Sequence, residues 1–272
     1  MADAPTETDP AHTQRDSRIR LEWGPTGAAA VAADADIAVV VDVLSFTTTL
    51  SIATRRGTRV LPFPWKDDRA AAYAAKNGAT LAVGRIEARH LDDPPPSLSP
   101  AQLLTSRYVD RLVLPSPNGS TICAAVRDSG TGAIVVGASL RNRAAVARWL
   151  LPRLAEGATV AVVASGERWP DGTLRPAVED LWGAGAVLDA VLAELDPSVP
   201  LSAEARHAVA AWQAVSSRIG SELRACASGR ELVDARFGAD VATAAEVDAD
   251  AVVPVLTRDG FVPAGSAGAA SR

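Results

Sequence analysis

Four short stretches of this chain gather acids, amides and hydroxyls suited to holding a metal ion or an anion. In the first, the apolar run Val39-Val40-Val41 ends on Asp42, and Thr47, Thr48 and Thr49 follow. A β-branched run with no polar alternation reads as a strand buried on both faces. The threonines then read as the start of a helix capped by Ser45 or Thr47. Asp42 would stand at the carboxyl end of a central strand, where ligands bind in open α/β sheets. A lone carboxylate there is costly unless a metal, a donor or water meets it. Two readings stay open on this pattern. Asp42 is a metal ligand, with the Thr47, Thr48 and Thr49 hydroxyls beside helix amides that hold an anion, or it is a strand-end acid that caps the next helix.

The second stretch is Ser116-Pro117-Asn118-Gly119-Ser120-Thr121, between a predicted strand and a predicted helix. Asn-Gly allows a tight turn with positive φ. Asn118, Gly119 and Ser120 then form a phosphate-cradle layout without a lysine, or an ordinary βα turn. The third comprises Gly166-Glu167-Arg168 and, further on, Glu179-Asp180. Neighbouring acids point about 100° apart on a helix, so one of that pair is expected to face a cleft. Mg²⁺ takes one or two carboxylates with waters and phosphate oxygens, which Asp42 with Glu179, Asp180 or both would supply. The other reading is a solvated acidic turn. In the fourth, Gly137-Ala138-Ser139-Leu140-Arg141-Asn142, either Ser139 or Asn142 suits a helix cap. Asn142 and Arg168 are also taken as candidates for binding an acidic substrate.

An alternation of strands and helices must position these residues. Strands are predicted at 18–23, 37–43, 59–61, 80–83, 111–114, 133–136, 159–163 and 252–256. Helices are predicted at 26–32, 47–56, 67–76, 119–128, 141–154, 176–194 and 202–216. That order implies a three-layer α/β/α domain over residues 18–262 with a parallel or mixed central sheet. From 202 to 245 the pattern is helical throughout, which suits a C-terminal helical segment or subdomain. The proline-rich run at 85–100 reads as a long loop or flap. Residues 1–17 and 263–272, small and polar, read as disordered tails.

The bulk numbers exclude several classes. With 272 residues and a net charge of −5, the chain offers no basic strip for nucleic acid. No apolar run is long enough to span a membrane, and no secretory leader is visible at Met1–Arg18. Two cysteines without paired spacing suit a reducing, cytoplasmic location. Leu44 stands where haloacid-type phosphatases need a second aspartate, neither Cys123 nor Cys226 begins a Cys-x5-Arg motif, and no Walker lysine exists. The Ala-rich, aromatic-poor helices are compatible with a homodimer but do not select one.

Taken in order, the segments resemble the 2-phosphosulfolactate phosphatase family. The matching pieces are Val41-Asp42-Val43-Leu44 with Thr47-Thr48-Thr49, Pro117-Asn118-Gly119-Ser120, and Val136-Gly137-Ala138-Ser139-Leu140-Arg141-Asn142. Gly166-Glu167-Arg168, Glu179-Asp180-Leu181-Trp182-Gly183-Ala184-Gly185-Ala186, and the stretch from Ser228-Gly229-Arg230 to Asp240-Val241 complete it. The resemblance implies an α/β/α fold and a Mg²⁺-dependent phosphoric monoester hydrolase. The family's namesake reaction turns 2-phospho-3-sulfolactate into 3-sulfolactate and phosphate, a step towards coenzyme M. It also favours Asp42, Asn118, Glu167, Glu179 and Asp180 as site residues, with Glu167 the expected general acid/base. On this reading Asp42→Asn abolishes turnover and leaves the fold intact. Members often carry Arg-Ala where this chain has Ser45-Phe46, and Gly-Glu-Arg where it has Gly84-Arg85-Ile86. Those departures motivate two alternatives: an anion-binding homologue without catalysis, or a hydrolase of another acidic phosphate ester.

Overall fold

The computed structural model describes residues 9–64 and 68–269. Its strands, in chain order, are β1 (Ile19–Trp23), β2 (Ile37–Val41), β3 (Arg59–Phe63), β4 (Thr80–Leu81), β5 (Arg111–Pro115), β6 (Ile134–Ala138), β7 (Val160–Ala164), β8 (Glu167–Arg168), β9 (Leu174–Arg175), β10 (Pro254–Thr257) and β11 (Gly260–Pro263). Nine of them form one sheet in the order β1-β7-β2-β6-β10-β11-β3-β5-β4, and β8 pairs with β9 in a small separate ribbon. Two parallel groups, β1-β7-β2-β6 and β3-β5-β4, are joined by the antiparallel β10–β11 hairpin between them. The sheet is therefore mixed and mostly parallel, in the expected α/β class.

β2 shows why an unbroken apolar run makes a central strand. Val39 and Val41 point into a core with the helices Arg143–Ala155 and Val178–Leu192. Ala38 and Val40 point into the opposite core, with Ala28, Val31, Leu50 and Ile122. The two faces carry separate hydrophobic cores, and this makes three layers. The helices Ala203–Val215, Ile219–Ala225 and Gly238–Ala244 contribute Ala205, Trp212, Leu223 and Val241 to the first of those cores. The C-terminal helices thus share the sheet's core rather than building one of their own.

The predicted elements are present, with ends within two residues of expectation. Three segments differ. Residues 1–8 and 270–272 of the expected tails lie outside the described residues, but Pro10–Thr13 is a 3₁₀ helix with Thr13 buried. The Gln14 amide donates to the Leu21 carbonyl (2.8 Å) and accepts from its N–H (3.1 Å), pairing backbone on the edge strand β1. At the other end, Ala264–Ala269 follows β11 as a 3₁₀ helix. The proline-rich run is also partly regular, with a one-turn helix at Arg85–Ala88 and a bridge from Val83 to Ser97. Cys123 and Cys226 are unpaired and buried. Among the described residues, no helix is long and apolar enough to cross a membrane.

Small residues set the packing distance of the helix Val178–Leu192. A Cβ on Gly185 would run into the Ala208 carbonyl of the neighbouring helix. Gly185→Ala is expected to destabilise the protein by about 3 kcal/mol, because backbone on backbone cannot yield as a side chain can. A fall in the urea midpoint would register it, and an unchanged midpoint would contradict the close approach.

Candidate active site

Asp42 follows β2 directly, at the carboxyl end of the central strand. Its Oδ1 accepts the Phe46 N–H at 3.0 Å and its Oδ2 accepts the Gly119 N–H at 3.0 Å. One carboxylate therefore caps two helices, Phe46–Arg55 and Gly119–Asp128, which places their positive ends around it. Gly119 is required for this approach, since a Cβ there would lie 2.9 Å from Asp42 Oδ2 and against the Phe46 ring. Burial pushes the Asp42 carboxyl up, and the two amides oppose that shift.

The neighbouring hydroxyls bond to the backbone of the loop. Thr47 accepts from the Asp42 N–H (2.9 Å) and donates to the Asp42 carbonyl (2.7 Å), and Thr48 donates to the Val43 carbonyl (2.8 Å). Ser120 donates to the Leu114 carbonyl at 3.1 Å. Asn142 accepts from the Ser139 N–H (2.8 Å) and donates to the Gly137 and Val252 carbonyls, so its side chain closes the turn before the helix Arg143–Ala155 and makes no cap hydrogen bond to that helix. These four side chains, expected to bind substrate, are buried and engaged with backbone, and none lines the cleft described below.

The remaining acids divide in the same way. Glu179 and Asp180 are both buried in the first turn of the helix Val178–Leu192. Asp180 accepts the Val43 N–H at 2.7 Å and the Gly166 N–H at 2.9 Å, bracing the loops after β2 and β7. Burial, then the charges of Asp42 and Glu179, push its carboxyl well up. The Cys226 thiol donates to the Leu223 carbonyl at 3.2 Å, and burial first and the Glu179 charge next push it up to about 12. Glu167, on β8, accepts from Asn118 Nδ2 at 2.8 Å. Burial, then the charge of Asp42, push Glu167 up to about 7. Arg168 is exposed and donates to the Pro117 and Gly172 carbonyls, both at 3.2 Å.

A cleft of about 210 Å³ opens over this cluster, with Asp42, Ser45, Thr49, Arg85, Asn118 and Glu167 among the side chains on its walls. A second cavity shares the Asn118 and Glu167 wall and carries Arg168. Arg85 is the residue that sequence reasoning left out of the site. Its guanidinium hydrogen-bonds the Ser45 hydroxyl and pairs with Asp240 at 2.8 Å. The two departures from the family pattern, at 45 and 85, thus meet in space. Their joint occurrence was the available signal.

Mg²⁺ fits the donor set by charge and ligand type. The charged oxygens on the cleft wall are the carboxylates of Asp42 and Glu167, the first raising the second, and Arg85, the one cation there, is already paired with Asp240. Among the described residues, no three His, Cys, Asp or Glu side chains group closely enough to cage an ion. Mg²⁺ does not need such a cage, because it keeps waters and takes phosphate oxygens.

An acid-lined cleft at the carboxyl ends of β2, β5 and β7 defines a three-layer α/β protein with a cleft where such sheets bind ligands. The family model described as 2-phosphosulpholactate phosphatase matches residues 28–259, and the chain belongs to that family. It is 34% identical over 243 residues to a protein of Parasynechococcus marenigrum named "Probable 2-phosphosulfolactate phosphatase", covering 85% of this chain and 93% of that one. A Synechococcus protein (strain CC9605) of the same name is 33% identical over 84% of this chain and 92% of its own. A Deinococcus radiodurans protein, again so named, is 28% identical over 85% of this chain and 92% of its own.

Proposed function

We propose that this protein is a Mg²⁺-dependent phosphatase of a small, multiply anionic phosphate ester, with 2-phospho-3-sulfolactate as the substrate its relatives' names suggest. The observation that carries this reading is Glu167. It is a carboxyl pushed up to about 7, held by Asn118, on the wall of the cleft that Asp42 also lines. Asp42 and Glu179 would hold the ion, while Asp180 braces the two loops beside them. Mg²⁺ supplies neutralisation of the phosphoryl oxygens when bound.

Each residue then has a task. Water adds to phosphorus as the bond to the ester oxygen breaks, and both of its protons stay with the phosphate released. Glu167, whose burial favours the protonated form, gives its proton to the departing alkoxide. Asn118 Nδ2 donates to Glu167 Oε2, which leaves Oε1 free to hold the proton. The Asp42 and Asp180 carboxylates fix the loops after β2, β5 and β7 through backbone amides, so the site is preorganised rather than assembled at each turnover.

A panel of phosphate esters with Mg²⁺, and again with a chelator, tests the proposal. Phosphate release from 2-phospho-3-sulfolactate that the chelator abolishes is the expected result. Release that survives chelation would remove the metal from the reaction. No release from any ester would leave the non-catalytic anion binder in its place.

A further inference from the structure

We infer that Thr49 and Arg85 form a second anion subsite, which holds the non-reacting acid group of the substrate, a carboxylate or a sulfonate. The inference rests on the phosphatase reading for the identity of the substrate, but the residues carry the subsite themselves. Three consecutive threonines open the helix Phe46–Arg55. Thr47 and Thr48 return their hydroxyls to backbone carbonyls, whereas Thr49 Oγ1 is buried with no hydrogen-bond partner. Thr49 is 1% exposed and lines the cleft. A buried hydroxyl left unpaired costs stability unless a ligand or water meets it.

Arg85 lines the same cleft. Its Nε pairs with Asp240 Oδ2 at 2.8 Å, and its Nη2 donates to the Ser45 hydroxyl. Nη1 makes no hydrogen bond among the described residues. Asp240 is itself fixed, accepting from the Ser99 hydroxyl and from the Ala101 N–H at 3.2 Å. A guanidinium anchored from behind and left with a free N–H edge suits an oxyanion. The cleft otherwise presents the acids Asp42 and Glu167, so Arg85 is the side chain able to attract a further negative charge there. Asp240 is a positioning residue, because it touches Arg85 and not the cleft.

The test compares 2-phospho-3-sulfolactate, 2-phospholactate and ethyl phosphate, which carry two, one and no additional acid groups. In Thr49→Val and Arg85→Ala, kcat/KM is expected to fall roughly tenfold further for a charged ester than for ethyl phosphate. A loss shared by both charged esters assigns the carboxylate, and one confined to 2-phospho-3-sulfolactate assigns the sulfonate. Equal losses across the three esters would overturn the subsite. Thr49→Val should keep or raise its thermal midpoint, since no protein partner is lost and an unpaired buried hydroxyl is removed, and this separates binding from folding. If the unaltered protein releases phosphate from no ester, the phosphatase reading fails separately. Calorimetry with 3-sulfolactate then decides the subsite: binding weakened roughly tenfold or more by either substitution supports it. Binding that is absent, or unchanged in the variants, sinks it.

Discussion

Asp42→Asn is expected to cut Mg²⁺-dependent phosphate release on the order of 10³-fold, because a metal's share of transition-state stabilisation is several kcal/mol. The fold will not be indifferent, contrary to what the sequence suggested. Both Asp42 oxygens accept backbone N–H groups, from Phe46 and Gly119. Asparagine offers one acceptor there, and its NH₂ must face the other N–H, donor against donor. The misfit at a buried double cap costs roughly 1–3 kcal/mol. Relief of burial and of repulsion from Glu179 offsets part of this. Urea denaturation beside the phosphate assay reads both effects. Full activity would remove Asp42 from the metal site, and unchanged stability would contradict the double cap. Because the Asp42 charge also raises Glu167, the variant should shift the alkaline limb of any residual activity to lower pH.

That double role explains what the sequence hid. A β-branched run ending in an acid locates Asp42 at a strand end whether it binds a metal or caps a helix, and the structure shows it capping two. The threonine triplet has the same ambiguity. Thr47 and Thr48 lie one and two positions into the helix, within reach of the Asp42 and Val43 carbonyls, while Thr49 is directed into the cleft. Periodicity cannot tell a returned hydroxyl from an offered one. The strands fared better, since burial on both faces leaves a local mark in every residue, as in β2. The β10–β11 insertion between β6 and β3 leaves none, being a pairing between distant segments. The β8–β9 ribbon is too short for any period to register. Arg85 reaches Ser45 across forty positions of chain, so only the fold could bring it to the site.

The acids at the cleft also show why the site needs its two braces. Asp180 and Asp42 each tie two backbone segments, and each is buried close to other carboxylates. Four amides hold these two charges in place against desolvation and mutual repulsion. Glu167 has no such amides, only the Asn118 side chain, and is therefore the acid free to carry a proton near neutrality.

Glu167→Gln should separate activity from stability. As general acid, Glu167 works while protonated, so the wild-type rate falls as pH rises through its ionisation, which lies near 7 without the metal and lower once Mg²⁺ offsets the Asp42 charge. Glutamine has no proton to give, and kcat should drop about 10²–10⁴-fold with that limb gone. Stability should move the other way. The folded-state value of about 7 lies above the ordinary 4.5, so the folded protein binds more protons than the unfolded chain between those values. The stability linked to this group is full below about 4.5 and is lost as pH rises through 7. At pH 8, measured without added Mg²⁺, the ionised Glu167 then costs on the order of 2 kcal/mol, allowing for its partial exposure. Glutamine keeps an oxygen for Asn118 and removes the charge. The variant should therefore denature at higher urea than wild type at pH 8 and at similar urea near pH 4. A variant no more stable at pH 8, or one that keeps the alkaline limb, would show that Glu167 is not the titrating acid. The opposite signs are what a carboxyl kept protonated for chemistry requires, because the burial that raises its pKa disfavours its ionised form in the folded state.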